Sequence, residues 1–191
     1  MSGNLRLYNS SGYVELQAPD NAESQTLVLP TDSIQPALVH INTTDFSAAS
    51  SVSLDNVFTS DYDNYRVMFT GSSSAGGTLL MRLRSSGSDA TGSDYSRQLL
   101  ESYGTTVLAS SATATSVYVT WLSTILGFMA LDMFSPHLSV LTAYSSMGGK
   151  PSNSIQVIGH HNVASSYDGL TIYPTSGTIT GTIRVYGYRN S

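Results

Sequence analysis

Between Ser176 and Tyr188 the chain reads Ser-Gly-Thr-Ile-Thr-Gly-Thr-Ile-Arg-Val-Tyr-Gly-Tyr, an alternation of period two. Ile179, Gly181, Ile183, Val185 and Gly187 fall on one face and Thr180, Thr182, Arg184, Tyr186 and Tyr188 on the other, the pattern of a half-buried β-strand. A strand of this length belongs in a sheet, because its backbone donors and acceptors need partners. Two of the buried-face positions are glycine, which predicts that another backbone or a large aromatic ring packs closely there.

The same period recurs upstream. Tyr65, Val67 and Phe69 alternate with Arg66, Met68 and Thr70, and Leu79, Met81 and Leu83 alternate with Leu80, Arg82 and Arg84. Further strands are expected over Arg97 to Tyr103, Val117 to Leu122, Gly127 to Met133, Leu138 to Ser145, Ser154 to His160 and Leu170 to Tyr173. The apolar run from Val117 to Phe134 is broken by Thr120, Ser123, Thr124, Gly127 and Asp132, so it reads as two core strands around a turn, with no membrane span. No amphipathic helix of useful length is available to cover a parallel sheet; a single helical turn is expected over Asp32 to His40. The fold class that fits is all-β, an antiparallel two-sheet β-sandwich of jelly-roll type.

Residues 1–36 read as a separate unit, an N-terminal β-hairpin arm for attachment or oligomerisation, and residues 37–191 as the sandwich domain. In the arm, Leu5 to Tyr8, Tyr13 to Gln17 and Thr26 to Pro30 are short strands between turn-rich segments, too few to hold a core of their own. Such strands gain most by pairing with another chain or another copy of this one, the alternative being an extra edge hairpin on the sandwich domain, and Leu5, Leu7, Tyr8, Tyr13, Val14, Leu16, Leu27 and Leu29 are the candidate partner-binding residues. The Ser-, Gly- and Asp-rich segments 72–77 and 85–94 read as flexible linkers at mobile tips.

Composition narrows the function classes. Charged residues make up 11% of the chain, while Ser and Thr supply 33 and 20 residues, so hydroxyls must cover much of the surface. A net charge of −5 with eight scattered Lys and Arg argues against a nucleic-acid groove, which needs clustered cations to displace counterions. With no cysteine, disulfides and thiolate metal sites are excluded and stability must come from the core or from assembly. The first residues have neither the charged and apolar regions of a secretory leader nor a lipidation motif, so synthesis in the cytoplasm is expected.

No arrangement of residues demands catalysis or a cofactor. His160 and His161 are neighbours on a strand and point to opposite faces, so they read as ordinary polar strand residues in preference to one metal's ligands. Asp61 with Asp63, and Asp89 with Asp94, lack the Gly and terminal Glu of an EF-hand loop and read as turn formers. Serines are too numerous for nearness to His137 or His160 to mean anything, no Gly-x-Ser-x-Gly turn is present, and no phosphate loop can be drawn. The twelve tyrosines suit interface anchoring or sugar stacking as well as the rim of a sheet.

The segment Asn56 to Phe69, the strand and turn Leu80 to Gly87, and the closing Gly177 to Gly187 resemble β-sandwich domains of tailed-bacteriophage virion proteins. Ser11 to Pro19 followed by Thr26 to Pro30 is similar to N-terminal segments of particle proteins of cyanobacterial and marine phages. The resemblance implies a non-enzymatic virion protein with no catalytic residues to carry over. It implies a capsid decoration or cement protein on the outside of the head, a homotrimer in contact with the major capsid protein. The alternatives are a tail-fibre tip that recognises host surface glycan, or a carbohydrate-binding module.

Overall fold

The structure is a computed structural model and describes residues 5–9, 12–16 and 36–190. The chain divides into two compact units, 1–35 and 36–191, one residue from the expected boundary. In the first, β1 (Leu5–Asn9) and β2 (Gly12–Leu16) form an antiparallel hairpin whose register pairs Leu5 with Leu16, Leu7 with Val14 and Tyr8 with Tyr13. The third arm strand expected over Thr26 to Pro30, with Leu27 and Leu29, lies outside the described residues.

The second unit is a sandwich of two antiparallel sheets, and no helix occurs among the described residues. The larger sheet has the order β3 (Leu38–Ala49), β15 (Ile179–Tyr188), β5 (Asn64–Ser73), β11 (Gly127–Phe134), β12 (Thr142–Lys150), β13 (Asn153–His161), β8 (Tyr95–Tyr103), β9 (Thr106–Ala114). The smaller runs β10 (Val117–Leu122), β6 (Gly77–Ser85), β14 (Gly169–Pro174), β4 (Val52–Leu54), with β7 (Ser88–Asp89) beside β6. The pairings are nested: β3 with β15 and β5 with β11 in the larger sheet, β4 with β14 and β6 with β10 in the smaller. Two further pairings, β15 with β5 and β14 with β6, close each set of four. The remaining strands are insertions, β7–β9 between β6 and β10 and β12–β13 between β11 and β14, and four of these five widen the larger sheet.

The core between the sheets follows the sequence alternation. Tyr65, Val67 and Phe69 on β5, Met129, Leu131 and Met133 on β11, and Ile179, Ile183 and Val185 on β15 face Leu79, Met81 and Leu83 on β6 and Leu170 and Ile172 on β14, all buried. The glycine expectation holds on β15: a Cβ at Gly187 would stand 2.7 Å from Tyr62 Cδ1, and one at Gly181 would meet the Thr70 and Gly71 backbone.

Four expectations change. The helical turn of Asp32 to His40 is not formed where the chain is described: Leu38 onward is β3, drawn into extension by pairing with β15, and local helix propensity is overridden. Strand β12 starts at Thr142, because Leu138, Val140 and Leu141 lie in an exposed loop despite being apolar. Segment 72–77 is no free linker. Ser73 is buried and its N–H donates to Ser123 O (2.9 Å), while the Ser74 N–H donates to Thr178 O (2.9 Å). Segment 85–94 is likewise pinned, by the Arg84 guanidinium to Asp55 (2.7 Å), Asp89 (2.5 Å) and Gly87 O, and by the Ser86 N–H to Asp168 Oδ2 (2.9 Å).

Candidate assembly surface

Because the larger sheet outgrows its mate, its outer face is broad, and that face holds the main unexplained feature of the molecule. Register carries one row across it through Met68, Ala130, Met147, Gln156, Leu100 and Ala109. The next row runs Thr70, Phe128, Gly149, Ser154, Ser102, Val107, and on the other side Ile158 stands between Ser145 and Gln98. Met147 is 63% exposed, Val107 70%, Ile158 55% and Leu100 51%, with Phe128 and Met68 nearly as open. Large apolar side chains scattered singly need no explanation, but a contiguous group on one sheet face marks a contact surface.

From β11 to β9 the face is also almost free of charge, Arg66, Arg184 and Asp45 standing on β5, β15 and β3. On the outer sides of β11, β12, β13, β8 and β9 the ionisable side chains are Asp132 and His160. Asp132 is neutralised in place: Arg66 on β5 donates to both carboxylate oxygens at 2.7 Å, and the Tyr188 hydroxyl donates to Oδ1 at 2.7 Å. Burial pushes this carboxyl up, but the Arg66 hydrogen bonds, the Tyr188 bond and the Arg66 charge outweigh it and hold it below its ordinary range.

Strand β9 completes the surface at the sheet's edge. Nearly all its residues are exposed, including Leu108 on the opposite face at 51%, and its sequence Thr-Val-Leu-Ala-Ser-Ser-Ala-Thr-Ala has no charge and no proline. Its register against β8 is unbroken from Thr106 to Ala114, so no bulge twists the edge away. Edge strands are ordinarily protected by one of these devices; β9 uses none. The outer face has relief as well. Two hollows of about 270 Å³ each flank Leu100, and toward the other end a shallow concavity of about 370 Å³ is lined by Ser96, Gln98, Ser111, Thr113, Ile158 and His160.

The residues singled out in the sequence fare differently. In the arm, the register brings Leu5, Leu7, Val14 and Leu16 into two cross-strand pairs; Tyr13 is 52% exposed. His160 and His161 do point to opposite faces, but only His160 is a surface residue. His161 is buried, edge-on to Tyr95 (4.4 Å between centroids) and Tyr167 (5.3 Å), with Nδ1 3.0 Å from the Tyr167 hydroxyl. Burial lowers its pKa against the opposing Val163 backbone and Asp94 charge, so the neutral ring is favoured. Asp61 bonds the Thr59 hydroxyl (3.2 Å) and Asp89 the Arg84 guanidinium, and no group of three or more metal-ligating side chains occurs among the described residues. Ser166 donates to the His137 backbone carbonyl and not to its ring.

The tyrosines split by role. Tyr65, Tyr95 and Tyr144 are core residues whose hydroxyls are spent on backbone: Tyr65 on Thr59, Tyr95 between Leu83 N and Ala90 O (both 2.9 Å), Tyr144 on Ser96 O (2.8 Å). Tyr103 is 65% exposed and free to meet a partner. The outer face itself escaped the sequence reading. Its signal is apolar residues on both phases of one strand: Val67-Met68-Phe69, Leu99-Leu100, Val157-Ile158. No protein-family model matches the chain, and no curated protein or solved structure matches it either.

Proposed function

We propose that the protein is a structural component of a phage virion, a capsid decoration or cement protein that binds the outside of the head and stabilises the lattice. The observation that carries this reading is the apolar outer face of the larger sheet, nearly free of charge from β11 to β9, with its unprotected edge, a surface suited to assembly. The nested strand pairing supports it as well. First pairs with last and second with second-last, inward through eight strands; this is the pattern from which a jelly roll is wound, an architecture common in capsid proteins. On this reading copies meet as a homotrimer. The arm, through Leu5, Leu7, Tyr8, Tyr13, Val14, Leu16, Leu27 and Leu29, adds strands to the major capsid protein or to neighbouring copies.

The test is binding to decoration-free heads. Full-length protein should bind in many copies and raise the heads' resistance to heat, since a ligand of the assembled lattice stabilises it by mass action. Protein lacking residues 1–36 should stay folded and fail to bind. Binding to host cells or purified surface glycan, with none to heads, sinks the proposal. One observation favours that second reading, a glycan-binding fibre tip: the concavity lined by Ser96, Gln98, Ser111, Thr113 and His160 offers the hydroxyl and amide groups that a sugar needs.

A further inference from the structure

We infer that the outer face of the larger sheet, from Met68 across to Val107, is the surface on which a second copy of this chain docks. The inference deepens the assembly reading above and rests on it.

Three observations select a second copy over other occupants. The first is charge. The chain carries a net −5, so two copies repel unless they meet where neither presents an unpaired acid. Asp55, Asp61, Asp63, Asp89 and Asp94 all sit on loops or on the smaller sheet's side. From β5 to β9 the outer face has one carboxylate, Asp132, already bound on both oxygens by Arg66; Asp45 lies beyond it on β3, where it accepts from the Thr182 hydroxyl. Between β11 and β9 a basic or acidic partner finds no free charge to pair with, the exposed Arg184 lying beyond Met68 on β15; an identical neutral surface meets no penalty there.

The second is area. Met68, Leu100, Val107, Phe128, Met147 and Ile158, at roughly 100 Å² each, offer on the order of 600 Å² of apolar surface, and the polar rim brings the face to the scale of about 800 Å² per partner of a stable interface. The third is shape. The hollows on either side of Leu100 lie among protruding side chains such as Met147 and Ile158, so the surface has both knobs and recesses. Beside it, β9 keeps a row of unpaired backbone groups within the same footprint.

The test uses the full chain with Leu100→Lys and Met147→Lys combined. Both side chains are more than half exposed, so the fold should persist by circular dichroism. Sedimentation of the wild type should give a multiple of the 20.3 kDa chain. The double variant should associate roughly a hundredfold more weakly or run as a monomer, because two like charges are forced against their own kind. Ile125→Lys, 83% exposed in the loop that carries the chain from β10 in the smaller sheet to β11 in the larger and outside the rows named above, should associate like the wild type. Should the double variant fail to fold, hydrogen exchange of wild-type protein replaces it: amides of β8, β9, β12 and β13 should gain protection between dilute and concentrated solution.

A wild type that stays monomeric at high micromolar concentration overturns the inference. So does a double variant that associates normally, an Ile125→Lys variant equally impaired, or protection gained elsewhere. Head binding is measured separately. Association through this face without head binding sinks the decoration reading and leaves the inference standing; head binding by a chain that never self-associates does the reverse.

Discussion

Adding one methyl group at Gly187 puts the packing of the C-terminal strand to a direct test. A Cβ at this position would lie 2.7 Å from Tyr62 Cδ1 and closer still to Cγ and Cδ2, whereas ordinary contact begins near 3.4 Å. The ring must therefore retreat by something like 1 Å or swing out. It cannot slide inward, because its edge already meets Tyr65 (centroids 6.0 Å apart, planes at 81°), and Tyr65 is itself pinned by its bonds to Thr59. Overpacking of this kind costs about 1–3 kcal/mol. In a unit of this size each kcal/mol lowers Tm by roughly 2–4 °C, so Gly187→Ala should melt some 2–12 °C below the wild type. Thermal unfolding followed by circular dichroism checks this. A double-mutant cycle with Tyr62→Ala identifies the cause, since the alanine at 187 should cost little once the ring is gone. A Gly187→Ala protein that melts within 1 °C of wild type, or a cycle with no coupling, refutes the reasoning.

Three other outcomes follow from the same contacts. Tyr95→Phe leaves the buried Leu83 N–H without its acceptor and should cost about 1–3 kcal/mol by urea titration. Tyr173→Phe, whose ring is only half buried, should cost less than that. Asp132 has a depressed folded-state pKa, so its pairing with Arg66 stabilises the fold above the unfolded carboxyl's value near 4 and is lost as pH falls through the folded value. Asp132→Asn should therefore lose about 1 kcal/mol at pH 7 and show a shallower decline in acid, read from Tm against pH. His161 is held below its ordinary pKa, so the unfolded chain takes up a proton first, and stability present above about pH 6.5 falls as pH drops from there to the folded value. His161→Gln should flatten that limb of the curve.

Where one face of a strand is buried against the other sheet, the alternation of period two made the strand legible: β5, β6, β10, β11, β13, β14 and β15 all lie where the sequence puts them. Strand β9 was invisible because both its faces are exposed, so Thr106 to Ala114 has no apolar phase to read. Strand β3 was hidden by His40, Asn42 and Asp45 and by the bulges in its pairing with β15, which break the period. Leu138 to Leu141 misled in the opposite sense, since apolar residues in an exposed loop look like the start of a strand. For the two histidines the opposite orientation was readable, but the burial of His161 depends on Tyr95 and Tyr167, which are distant in sequence. The assembly face needed the register of six strands at once, and only neighbouring apolar pairs such as Leu99-Leu100 hinted at it.

The most direct measurement of the central claim is a cryo-EM reconstruction of particles that carry the protein. The account predicts density on the outside of the head in which Leu100, Met147 and Ile158 of one copy face another copy and are shielded from solvent. Density confined to the tail, or copies on the head whose outer sheet faces stand open to water, would contradict it.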